Sequence, residues 1–145
     1  MCEKSELAVQ CFMEGFNCSQ SVFSTYCEDY GLDKEMALKV SGAFGGGMGY
    51  IGETCGAVTG AFMLAGLKYG KCKVGDNEAK EKTYRLVQEF THRFKTEYGS
   101  VKCKDLITYD LSNEEERQKA NEAGVFTSIC PALVKRAAEI IEELL

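Results

Sequence analysis

Eight cysteines, at positions 2, 11, 18, 27, 55, 72, 103 and 130, are the residues of this chain best suited to chemistry. A cysteine reacts or ligates as its thiolate, so the question is which of the eight are placed to hold a negative charge. Consecutive spacings of 9, 7, 9, 28, 17, 31 and 27 leave no Cys-x-x-Cys anywhere. That argues against a thioredoxin-like site, a zinc ribbon and a ferredoxin-type run. Any shared site must be assembled over long range. Three of the cysteines fall at predicted helix N-termini: Cys18 just after Asn17, Cys55 at the head of a glycine-led segment, and Cys130 just before Pro131. A helix N-terminus offers unpaired N–H groups and a partial positive charge, and both favour thiolate over thiol. The glycine run before Cys55 would set its thiol against backbone amides.

The other candidates have plainer readings. Cys11 sits on an apolar helix stripe and Cys27 beside one, so both are expected to pack. Cys2 lies near the chain end, and Cys72 stands between Lys71 and Lys73 as an exposed thiol. Gly47-x-Gly49-x-x-Gly52 matches a dinucleotide-binding pattern, but no strand precedes it and no βαβ unit follows, which argues against a nucleotide. His92 shares the polar face of its helix with Glu81, Arg85, Gln88 and Lys95 and is read as solvated. Glu114 to Glu116 form an acidic first turn suited to the helix dipole. Phe44, Tyr50 and Tyr69 flank the glycine segment, where they would line a pocket or pack the core.

The elements that must position these groups read as helices. Residues 3–14 carry the stripe Leu7, Ala8, Cys11 and Phe12, with Gly15 as a stop. Asn17 caps a second helix, 18–30, whose apolar face holds Cys18, Val22, Tyr26 and Tyr30. Asp33 caps a third, 34–41. Six glycines in residues 42–52 exclude a regular element, and their apolar neighbours exclude a flexible linker. This stretch is read as a packed loop. Residues 53–69 are apolar nearly all round and form a buried central helix, in which Gly56 and Gly60 share a face that lets a second backbone or a flat ligand come close. The glycines expected to touch a bound group are Gly46, Gly47, Gly49, Gly56 and Gly60. A long helix, 77–98, starts at Asp76 or Asn77 and turns Tyr84, Val87, Thr91, Phe94 and Tyr98 inward. Ser112 and Glu115 match a capping box for a polar helix, 113–123. The last helix is expected to start with Pro131 at its first position and run to Leu145. No strand alternates convincingly. The expected fold is all-α, one domain over residues 1–145, with about six helices around the buried glycine- and cysteine-led one.

Composition narrows the function classes. The chain has 145 residues, 45% apolar and 27% charged, with a net charge of −5. That balance lacks the basic face a nucleic-acid binder needs. No apolar stretch nears the ~20 residues of a membrane span. The first residues lack the basic and apolar regions of a secretory signal, so the expected compartment is the cytoplasm. Structural disulfides are uncommon there.

Several segments resemble the C_GCAxxG_C_C family of redox-active proteins, small bacterial and archaeal chains of similar length. Gly15 to Val22 is similar to its first cysteine motif. Gly45 to Gly60, ending in Cys55-Gly56-Ala57-Val58-Thr59-Gly60, is similar to its glycine loop and central motif. Cys103 in Val101 to Leu106 and Cys130 in Cys130 to Val134 resemble its third and fourth cysteines. The resemblance implies that Cys18, Cys55, Cys103 and Cys130 act together, and Cys103 enters on that ground alone. The leading expectation is a thiol-redox protein with an unidentified redox partner, Cys55 attacking and one of the other three resolving. It would be a thiol-dependent oxidoreductase if it turns over, and it would need no cofactor. The first alternative makes the same four cysteines ligands of zinc or an iron–sulfur cluster. The second is a structural or partner-binding helical domain, self-associating through a second apolar face on its last helix.

Overall fold

The computed structural model describes residues 3–145, so Cys2 lies outside the described residues. These residues form eight α-helices: α1 Lys4–Met13, α2 Cys18–Tyr26, α3 Lys34–Ser41, α4 Gly56–Tyr69, α5 Asn77–Tyr98, α6 Cys103–Ile107, α7 Glu114–Glu122 and α8 Val125–Leu144. A 3-10 turn, Cys27–Tyr30, extends α2. Among the described residues there is no strand, only an isolated antiparallel bridge between Thr54 and Lys102. The class is therefore all-α. The count exceeds the expected six partly because α6 has five residues, too few to show a helical period.

Side-chain caps set four of the eight helix starts. Asn17 and Gln20 form a reciprocal capping box: the Asn17 side chain accepts from the Gln20 N–H at 2.8 Å, and Gln20 Oε1 accepts from the Asn17 N–H at 3.0 Å. Asp33 and Asp76 cap α3 and α5. The cap of α7 is Asn113, which accepts from the Glu116 N–H at 3.1 Å. The expected cap, Ser112, instead donates to the Asp110 carboxylate.

The last helix differs most from expectation. It starts at Val125, because Gly124 at φ +75° ends one helix and opens the next within a single residue. Pro131 therefore lies inside α8, and Cys130 is an interior residue of that helix, not the residue before its start. Both apolar faces of α8 are covered within the chain, with Leu133, Val134, Ala137, Ala138, Ile140 and Ile141 all buried. The inner face of α5 also shifts. Phe90 and Phe94 are buried, stacked at 5.8 Å, with Phe62 of α4 edge-on to Phe90, while Tyr84 and Tyr98 are exposed.

The contact of α2 with α4 depends on the small-residue face of α4. A Cβ on Gly60 would stand 2.8 Å from the Ser19 carbonyl oxygen, and one on Gly56 would stand 2.9 Å from the Ser19 backbone nitrogen. The body that comes close at these glycines is thus the backbone of α2. The glycine-rich segment is a packed left-handed turn. Gly46, Gly47, Met48, Gly49 and Tyr50 have φ values of 67°, 67°, 67°, 64° and 69°. Glycine adopts this conformation freely, whereas for Met48 and Tyr50 it costs roughly 1–2 kcal/mol each.

The core has two parts. The larger is packed from α1, α2, α4, α5 and α8 and includes Val22, Leu64, Phe90, Phe94 and Ile141. The smaller holds Cys103, Ile107, Leu111, Ala120, Val125 and Cys130. Phe12 and Cys18 pack against both, so a seam runs between the two at Cys18. Among the described residues no helix is long and apolar enough to cross a membrane.

Candidate functional site

At this seam lies a cavity of about 230 Å³, and Cys18, Cys55, Cys103 and Cys130 all line it. Each arrives by a different local device. Cys18 is the first residue of α2, fixed by the Asn17–Gln20 box. Cys55 is the residue before α4, and its N–H donates to the Val101 carbonyl at 2.8 Å. Cys103 is the first residue of α6, and its N–H donates to the Glu53 carbonyl at 2.6 Å. These two bonds flank the Thr54–Lys102 bridge, so one short piece of antiparallel pairing brings Cys55 and Cys103 to the same cavity. Cys130 comes from within α8.

Two glycines shape the wall. A Cβ on Gly47 would stand 2.7 Å from Cys103 Cβ, and one on Gly56 would stand 3.0 Å from Cys18 Cβ. Gly46 also lines the cavity. Gly49 lines a neighbouring depression with Asn17 and Ala43. Gly60 packs on Ser19 away from the cavity. Of the remaining cysteines, Cys11 is buried with its sulfur 3.8 Å from Ser24 Oγ. Cys27 is buried and donates to the Ser24 carbonyl. Cys72 is exposed, and so is His92.

The thiols differ in acidity, but not in the order that helix ends predict. Burial pushes Cys55 up to about 11, although hydrogen bonds from the Ala57 and Val58 backbone pull the other way. Burial pushes Cys103 up to about 12, with Cys55 and Cys130 adding to the effect. Cys18 is raised well above the ordinary thiol range by the neighbouring Cys130 and then by burial. Cys130 alone of the four is lowered, by the neighbouring Cys18, with burial opposing. Desolvation of a buried anion outweighs the partial charge of a helix end. The acidified sulfur is instead Cys130, and the neighbouring Cys18 thiol is the cause.

Residues without a sequence signal complete the site. Phe12, Ile107, Leu111, Phe126 and Leu133 make the cavity wall apolar. Arg117, on the polar helix α7, also lines it. Its guanidinium lies 4.3 Å from the centre of the Tyr50 ring, and Nη1 donates to the Leu111 carbonyl at 3.1 Å. Nothing in a helix so rich in charge marks one arginine as facing a cavity.

A ligand role asks more of the four sulfurs than a shared cavity. Zinc and iron–sulfur sites need thiolates closing on one ion or cluster. Among the described residues no three His, Cys, Asp or Glu side chains are grouped to hold a metal ion. The four cysteines share the cavity without forming such a group.

A family model described as "Putative redox-active protein (C_GCAxxG_C_C)" matches residues 16–144. The chain belongs to the C_GCAxxG_C_C family. The match spans all four cavity cysteines, the left-handed turn and the α2–α4 contact, and leaves out the whole of α1. No curated protein matches the chain. No solved structure matches it either.

Proposed function

We propose that this C_GCAxxG_C_C protein is a thiol–disulfide redox protein whose reacting pair is Cys18 and Cys130, with residues 1–145 acting as one helical domain. The observation that carries the reading is the convergence of Cys18, Cys55, Cys103 and Cys130 on one cavity, with Cys18 and Cys130 the two whose acidities act most strongly on each other. Two neighbouring thiols that share one proton favour the singly ionised state, which holds a thiolate and a proton donor together.

The reaction balances as follows. The Cys130 thiolate attacks one sulfur of a substrate disulfide. The Cys130–substrate S–S bond forms, the substrate S–S bond breaks, and the first substrate thiolate leaves, taking the Cys18 proton. The Cys18 thiolate then attacks Cys130 sulfur and releases the second substrate thiolate. The protein has lost two electrons and the substrate has gained them. A dithiol reductant returns the protein to its starting state by the same steps in reverse. Cys55 and Cys103 stay protonated throughout, because burial holds both far above neutrality. A cytoplasmic setting would return the pair to its dithiol state between turnovers.

Oxidation of the reduced protein by a small disulfide, followed by peptide mapping, tests the pair. The expected product is a Cys18–Cys130 disulfide. A product joining Cys55 to Cys103, or no intramolecular disulfide at all, overturns the assignment.

A further inference from the structure

Cavity size, access and charge bear on what the thiol pair acts upon. Cys55, Cys103 and Cys130 are only 4%, 8% and 6% exposed, so a partner must enter the cavity to be attacked. A volume of about 230 Å³ lies below the ~300–1,000 Å³ of drug-sized ligand sites, which points to a small molecule and away from a protein disulfide. Beyond the sulfurs the wall is mainly apolar, and Arg117 is the single charged residue lining it. Among the described residues Arg117 has no carboxylate within ion-pair distance. One of its five N–H donors is used on the Leu111 carbonyl, and its face rests on Tyr50. Tyr50 is 50% exposed, on the left-handed turn, which puts the Arg117–Tyr50 pair at the cavity's open side. Cys130 owes its acidity to Cys18, which leaves the arginine's charge for another group.

We infer that the cavity takes a small organic disulfide bearing a carboxylate, with the carboxylate held by Arg117 beside Tyr50 and the disulfide reaching Cys130. This rests on the thiol-exchange reading above and adds the substrate class. Arg117 acts in binding, and Cys130 and Cys18 carry the exchange already written. The anion replaces water on the free guanidinium edge, and the apolar stem lies along Phe12, Leu111 and Phe126.

Three disulfides of similar size and different charge test it: dithiodipropionate, hydroxyethyl disulfide and cystamine. The rate of Cys18–Cys130 disulfide formation is followed for each by quenching and mass spectrometry. Wild type should react at least about tenfold faster with dithiodipropionate than with cystamine, the neutral reagent falling between, as expected for one charge-assisted hydrogen bond. Arg117→Gln should erase the anion preference with the hydroxyethyl disulfide rate unchanged, and Arg117→Lys should keep part of it. In parallel, phenylacetate should slow iodoacetamide alkylation of Cys130 in wild type but not in Arg117→Gln. Equal rates with all three reagents in wild type overturn the anion site and leave the thiol pair standing. Protection by phenylacetate with no disulfide from any reagent upholds the anion site and overturns the redox reading. If Arg117→Gln does not fold, the wild-type ranking and the Arg117→Lys variant decide alone.

Discussion

Cys130 is an interior residue of its own helix, yet it is the acidified sulfur of the four, while Cys55, at the head of α4, has two backbone N–H donors and is pushed up. A buried thiolate loses more from desolvation than two neutral amides return, whereas a neighbouring S–H brings a donor that moves with the charge. Alkylation against pH separates the two roles. Wild type should show one cavity thiol reacting with a midpoint below the ordinary ~8.5 of free cysteine. Cys130→Ser should abolish that phase, Cys18→Ser should move its midpoint upward, and Cys55→Ser should leave it in place. A low-pH phase that disappears in Cys55→Ser would return the attacking role to Cys55. The sequence marked all four of these residues through helix ends and motif likeness. It could not rank their acidity, which depends on which sulfur faces which.

Two backbone features do the positioning at the level of elements. The left-handed turn at residues 46–50 wraps the cavity mouth and presents Tyr50, and the glycine face of α4 lets α2 carry Cys18 inward. Gly60→Ala would drive a Cβ to 2.8 Å from the Ser19 carbonyl oxygen and 3.1 Å from Val22 Cβ. It should destabilise the fold by about 1–3 kcal/mol in urea unfolding, as overpacking does. It should also move α2, and Cys18 with it, away from Cys130, seen as a raised alkylation midpoint. Gly66→Ala, on the same helix with nothing within 4 Å of its Cβ, should instead stabilise by about 0.5–1 kcal/mol. The glycine spacing was legible as a close approach, but whether backbone or ligand filled it was not. The start of α8 is not legible in the sequence, because Pro131 is a common first-turn residue and a glycine that ends one helix carries no mark of opening the next.

Across the whole molecule, the buried thiols tie stability to pH. Cys55 and Cys103 have folded values near 11 and 12, above the ~8.5 of an unfolded thiol. A raised value contributes stability that is complete below about pH 8.5 and is lost as pH rises toward the folded value, since the unfolded chain then binds fewer protons. Stability should therefore fall on the alkaline side, each such group adding up to about 1.4 kcal/mol per pH unit within its window. Cys55→Ser removes one of these groups. Its urea-unfolding free energy should decline less steeply than wild type between about pH 8.5 and 11. Parallel curves for the two proteins would show that Cys55 is not desolvated in the folded state.

Local information carried the helical class, the caps at Asn17, Asp33 and Asp76, the packed glycine segment and the four cysteines of interest, because spacing and capping act within a few residues. Long-range geometry decided the rest. Pairing at Thr54 and Lys102 brings together sulfurs 48 positions apart in the numbering, and the seam between two apolar clusters encloses them. The ordering of acidity, the facing of Cys18 with Cys130 and the turn of Arg117 toward the cavity all depend on distances between separate elements. Such distances exist only once the helices have packed.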